Sequence, residues 1–139
     1  MMTSCSRPAM LATRAAMRGA ARSISTAVVG AGNMGRGVAW SLARAGHDVA
    51  IYDVDASAAA ACASADDAQG RVSAAPTVAA AVDGAAAVLV SVSNEAAERA
   101  VFDEVLPACA ANPVVLNLGT TSVAFAREVH ARFAGVPFL

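Results

Sequence analysis

At 139 residues the chain has room for one domain with a real core and is short for two. Hydrophobic residues make up 57% of it, much of that alanine, against 4% aromatic, so small side chains must pack closely to form an interior. The net charge of −1 comes without a basic patch, which argues against nucleic-acid binding, and no apolar run approaches the roughly 20 residues of a membrane span.

The first segment stands apart from the rest. No acidic residue precedes Asp48, and Arg7, Arg14, Arg18 and Arg22 recur on an Ala/Ser/Thr/Met background. Arg-rich, Ser-containing and acid-poor is the composition of a mitochondrial transit peptide. The alternative is a start placed upstream of the true one, with Met2, Met10 or Met17 among the candidates. Either way residues 1–23 are expected to be disordered and outside the fold, and 24–139 to form the domain. The first reading directs the protein to the mitochondrial matrix; the second leaves it cytoplasmic.

From Ile24 onward, strand and helix patterns alternate. Ser25–Val29 is β-branched and apolar and predicts a first strand over 24–29. Gly30-Ala31-Gly32-Asn33-Met34-Gly35 follows, a G-x-G-x-x-G turn opening a helix over 33–45 whose apolar face is Val38, Trp40, Leu42 and Ala43. In a dinucleotide-binding βαβ unit, the first glycine permits the tight turn and the second lets a pyrophosphate approach the backbone. The third brings helix and sheet together. The helix N-terminus then presents free N–H groups and a positive dipole end to the phosphates.

Gly46 ends that helix, and a second strand over 48–53 closes on Asp53. An acid about 20 residues beyond the glycines accepts hydrogen bonds from an adenosine ribose and repels a 2′-phosphate. Val54-Asp55 supplies no arginine to hold such a phosphate, so NAD is favoured, with NADP not excluded. A solvated helix N-cap is the other role open to Asp53.

The remaining elements are an alanine-rich helix at 56–63, a short edge strand at 71–73 and a helix from Pro76 to Val82. A continuously apolar central strand spans 87–92. A helix at 95–106, with Glu95, Glu98 and Arg99 on its wet side, ends at Pro107. The fifth strand is 114–118, a helix over 122–134 is closed by Gly135, and a sixth strand begins at Val136. The order predicts an α/β, Rossmann-type doubly wound parallel sheet, 3-2-1-4-5-6, with helices on both faces and a crevice between the carboxyl ends of strands one and four.

Cys5, Cys62 and Cys109 are scattered and form no metal or redox spacing. His47 and His130 read as surface or loop residues, and no metal site is expected. All ten basic residues are arginine.

The strings Gly30–Gly35, Gly46-His47-Asp48-Val49 and Tyr52-Asp53 resemble the 3-hydroxyisobutyrate dehydrogenase family, β-hydroxyacid dehydrogenases related to 6-phosphogluconate dehydrogenase. The resemblance runs from about Thr26 to Leu139, and Asn33-Met34 before the third glycine is typical of it. It implies cofactor contacts at Gly30, Ala31, Gly32, Asn33, Met34, Gly35 and Asp53. After strand four the family has Met-Leu-Pro; the matching residues are Val92, Ser93 and Asn94, and an Asn there resembles the threonate-type branch. After strand five the family has an acid followed by Ser-Thr. Thr120 matches the threonine, while Asn117 replaces the acid and Gly119 the serine.

The family's substrate loop and catalytic lysine would follow Leu139, the lysine in an all-helical second domain, so no residue of this chain is nominated as catalytic. The resemblance implies the cofactor domain of an oxidoreductase acting on the CH–OH group of a small 3-hydroxy acid, of 3-hydroxyisobutyrate or threonate type. A homodimer would form in the full-length protein. Two other readings stand beside it: a stand-alone NAD(P)-binding module or sensor, and an S-adenosylmethionine site, which the third glycine disfavours.

Overall fold

A computed structural model describes residues 23–139; Cys5 and the arginines up to Arg22 lie outside the described residues. The elements are β1 (Ser25–Val29), α1 (Asn33–Arg44), β2 (Asp48–Tyr52), α2 (Ala56–Ser64) and a 3-10 turn at Asp66–Ala68. After these come β3 (Val72–Ala74), α3 (Val78–Val82), β4 (Ala87–Val90), α4 (Glu95–Ala108), β5 (Val114–Asn117) and α5 (Val123–Arg132). All pairings are parallel, in the order β3-β2-β1-β4-β5. The direction of winding reverses at β1, which lies between β2 and β4.

Strand side chains alternate between faces, and the sheet sorts them into two cores. Ala27, Val29, Val88, Val90 and Val115 meet the α3, α4 and α5 side, where Phe102, Phe125 and Phe133 are buried. Phe102 and Phe133 pack edge to face at 5.6 Å between ring centres. Val28, Val49 and Ile51 point the other way, against α1 and α2, and meet chiefly alanines: Ala39, Ala43 and Ala59. Trp40 packs at the margin of this second core, its indole N–H donating to the Cys62 carbonyl at 3.0 Å, which ties α1 to α2.

Several expectations need correction. The helix face toward the sheet is Gly35, Ala39 and Ala43, so Ala39 holds the place expected of Val38. Helix α4 does not stop before Pro107 but carries it in its last turn, at the loss of one N–H bond. Glu98, expected in water, is 1% exposed. No sixth strand forms beyond β5. Instead Val115 and Phe138 make a single parallel bridge, with Val115 N–H donating to the Pro137 carbonyl at 2.7 Å and Leu139 N–H to the Val115 carbonyl at 2.9 Å. Asn117 N–H extends the ladder on one side by donating to the Leu139 carbonyl at 2.8 Å, and on the other side Pro137 has no N–H to do so.

Candidate functional site

The turn after β1 is shaped by two collisions that only glycine avoids. Gly30 has φ +107°, and a Cβ there would run into the Ser91 carbonyl oxygen at the end of β4. A Cβ on Gly35 would run into the Gly30 carbonyl oxygen, so the first turn of α1 lies directly on the strand exit. Gly32 differs. A Cβ there would meet no protein atom within 4 Å, so the chain's own packing does not require glycine at this position. Glycine there leaves the backbone open to a close approach from outside the protein.

Gly32 is also the N-cap of α1 and has no side chain with which to cap it. Among the described residues the other four α-helices are capped by side chains: Asp55 to Ser57 N–H, Thr77 to Ala80 N–H, Asn94 to Ala97 N–H and Ser122 to Phe125 N–H. No acidic residue occupies the first turn of α1. Its N-terminal N–H groups and positive dipole end are thus left to an incoming anion.

Asp53 closes the other side. One carboxylate oxygen accepts from the Ala31 N–H at 2.6 Å, inside the glycine turn, and the other from the Asp55 N–H at 2.9 Å. The helix N-cap alternative is excluded for Asp53, because Asp55 caps α2. The Ser57 hydroxyl and N–H bonds hold the Asp55 carboxyl below its usual value.

A cleft of about 340 Å³ opens between these parts. Its wall runs from Val29, Gly30 and Gly32 through Tyr52, Asp53 and Val54 to Ser91, Val92 and Ser93. One stripe of α4 completes it with Ala97, Ala100, Val101 and Glu104. The site lies at the carboxyl ends of β1, β2 and β4, where the sheet changes its direction of winding.

The structure therefore brings Gly30, Gly32, Asp53 and Ser93 together on one cleft. Ala31 is buried and reaches the site through its N–H. Met34 is exposed, and Asn33 turns its side-chain oxygen to the Arg36 guanidinium at 2.6 Å. Asn94 is occupied as the α4 cap. Thr120 is exposed on the β5–α5 loop and is not part of the cleft wall. Sequence reasoning missed Tyr52, Val54 and the α4 stripe. The i, i+3, i+4, i+7 spacing of Ala97, Ala100, Val101 and Glu104 was the available signal.

Beside the cleft, two α4 carboxylates meet the loop after β5, and Glu95 fastens it. Glu95 accepts from the Ser122 N–H at 2.7 Å, which lowers its pKa below the ordinary 4.5. Glu98 lies against Gly119, where a Cβ would run into its carboxylate oxygen, and its Oε2 has no hydrogen-bond partner. Among the described residues no group of three or more His, Cys, Asp or Glu could hold a metal, and no helix is long and apolar enough to cross a membrane.

Comparisons with known proteins agree with this geometry. No curated protein matches the chain significantly. Mycobacterium tuberculosis 3-hydroxyisobutyrate dehydrogenase, solved with L-serine, is 29% identical with a TM-score of 0.74, over 85% of this chain and 39% of that one. An imine reductase from Pseudomonas sp. shares the fold at 20% identity and TM-score 0.71, over 85% of this chain and 40% of that one. The imine reductase of Myxococcus stipitatus, a V8 variant in complex with NAD+, does so at 21% and 0.69, over 84% of this chain and 39% of that one. The chain thus spans well under half the length of these proteins. The profile of the NAD binding domain of 6-phosphogluconate dehydrogenase matches residues 25–138, and the chain belongs to that family of NAD-binding domains.

Proposed function

We propose that this domain serves an NAD-dependent oxidoreductase acting on the CH–OH group of a small 3-hydroxy acid, of 3-hydroxyisobutyrate or threonate type. The observation that carries the cofactor half of this reading is the uncapped N-terminus of α1 at Gly32, with Asp53 fastened beside it. The residues fit a dinucleotide. The N–H groups at the start of α1 would hold the pyrophosphate, and Asp53 would accept from the adenosine ribose hydroxyls. Tyr52, Val54, Ala97, Ala100 and Val101 give the adenosine apolar walls. Ser93, on the cleft wall, is assigned to the nicotinamide end, with Asn94 and Thr120 assigned to it from outside that wall. When bound, the nicotinamide supplies a hydride acceptor. This chain's part is to hold and orient it.

The substrate half rests on the likeness to the mycobacterial dehydrogenase, whose L-serine is itself a short acid with a 3-hydroxyl. The acid–base group is assigned to a further domain of the whole protein, where a homodimer contact is also placed. The arginine-spaced segment before Ser23 is assigned to mitochondrial targeting.

Titration of the chain with NADH, read by Trp40 and nicotinamide fluorescence, tests the cofactor half. Saturable binding that S-adenosylmethionine does not displace is expected, and displacement by that ligand overturns it. The substrate half is tested with the whole native protein and a panel of 3-hydroxy acids. NAD+ reduction by none of them overturns it.

A further inference from the structure

Helix α4 carries four carboxylates, and three of them are committed elsewhere. Glu95 holds the Ser122 N–H, Glu98 is buried against Gly119, and Asp103 pairs with Arg132. Glu104 takes part in no ion pair formed among the described residues and lies on the cleft wall with Ala97, Ala100 and Val101. The same wall includes Asp53, the acid at the end of β2, and contains no arginine or histidine. The cleft is thus flanked by carboxylates from two different elements, and no cationic side chain lies on its wall.

We infer that Glu104 is a second specificity-determining residue of the dinucleotide site, acting with Asp53 to favour NAD over NADP. The inference rests on reading the cleft as the cofactor site. A 2′-phosphate would bring about two further negative charges to the adenosine end. It would meet Asp53 on the β2 side and Glu104 on the α4 side, with no cation on the cleft wall to offset either. NAD, which lacks that phosphate, avoids the repulsion. Ala100 and Ala97, one and two turns earlier, line the cleft on the same stripe of α4 as Glu104. Because Glu104 is exposed, its effect is long-range and screened by salt.

The test uses the full chain with NADH and NADPH as probes, and the ratio of their Kd values at low salt is measured. Glu104→Gln is expected to narrow the preference for NADH by about threefold to tenfold, chiefly by tightening NADPH, and the change should shrink as salt is raised. Glu104→Arg should narrow it further. Asp103→Asn removes one charge from the neighbouring position, which pairs with Arg132 away from the cleft, and should leave the ratio unchanged. If both dinucleotides bind and neither Glu104 variant moves the ratio, the inference is overturned while the cofactor reading stands. An equal change in Asp103→Asn also overturns it, because the effect would then come from overall charge. If neither dinucleotide binds the parent chain, both fall together.

Discussion

The carboxylate of Asp53 accepts a 2.6 Å hydrogen bond from the backbone N–H of Ala31, so the end of β2 is fastened to the middle of the glycine turn after β1. One residue thereby fixes the shape of the glycine loop and, on the function proposed above, would present the acid to a ribose. Asp53→Ala is expected to cost about 1.5–3 kcal/mol of stability, as loss of a hydrogen bond to a charged group does. It should also weaken NADH binding at least tenfold. Thermal unfolding and NADH titration of the variant check the two effects separately.

The glycines of the turn separate packing from binding. Gly35→Ala puts a methyl into the Gly30 carbonyl and should destabilise by about 1–3 kcal/mol or prevent folding. Gly32→Ala meets no protein atom within 4 Å and sits at φ −65°, so its stability should stay within about 1 kcal/mol of the parent. Its NADH affinity should nevertheless fall at least tenfold. A Gly32→Ala chain that binds NADH normally would show that nothing approaches the backbone at that point.

Glu98 is a buried carboxylate with one oxygen unpartnered, a costly arrangement in an apolar setting. Glu98→Met, similar in volume and without the charge, is expected to raise stability by about 1–3 kcal/mol in denaturant titrations. Gly119→Ala should destabilise the parent, since its methyl competes with the Glu98 carboxyl, and should be tolerated once position 98 is alanine. A double-mutant cycle measures that coupling, and additive effects would show that the two residues do not share the space.

Glu95 makes the attachment of the β5–α5 loop depend on acidity. Its pKa is held below the ordinary 4.5, first by the Ser122 N–H. A carboxyl depressed in the folded state contributes stability that is fully present above its unfolded value and is lost as pH falls through its folded value. The parent should therefore be more stable than Glu95→Gln at neutral pH. The gap should begin to close below about pH 4.5 and vanish once Glu95 is protonated in both states. Melting temperatures across pH 2–7 provide the comparison.

The parallel sheet, its first five strands in order and the glycine turn were readable in the sequence because each is governed by local chemistry. Short runs of β-branched and apolar residues set the strands, and the spacing of Gly30, Gly32 and Gly35 leaves few other backbone paths. Glu98 was misread because helical periodicity assigns a charge to the wet face. What admits it to the interior is the missing side chain of Gly119, distant in sequence and adjacent in space. Glu104 and the alanines of its stripe were not readable as part of the cleft for a related reason. The sequence gives the spacing of a helical face, but the rotation of α4 on the sheet decides which face meets the cleft. Asn94 combined both situations: its type suits a rim contact, yet its side chain caps its own helix.

The two sides of the sheet differ in how they tolerate change. Where Phe102, Phe125 and Phe133 fill the space, a lost methyl leaves a gap that neighbours can partly close. Where α1 rests on Val28, Val49 and Ile51 through Ala39 and Ala43, there is no slack in the other direction. A single added methylene there acts as a shim under the helix, lifting one end of a rigid rod whose other end carries the anion-facing amides. Mutations that never touch the cleft, on the far turns of α1, would then detune it, with Ala39 and Ala43 setting how closely the helix lies on the sheet.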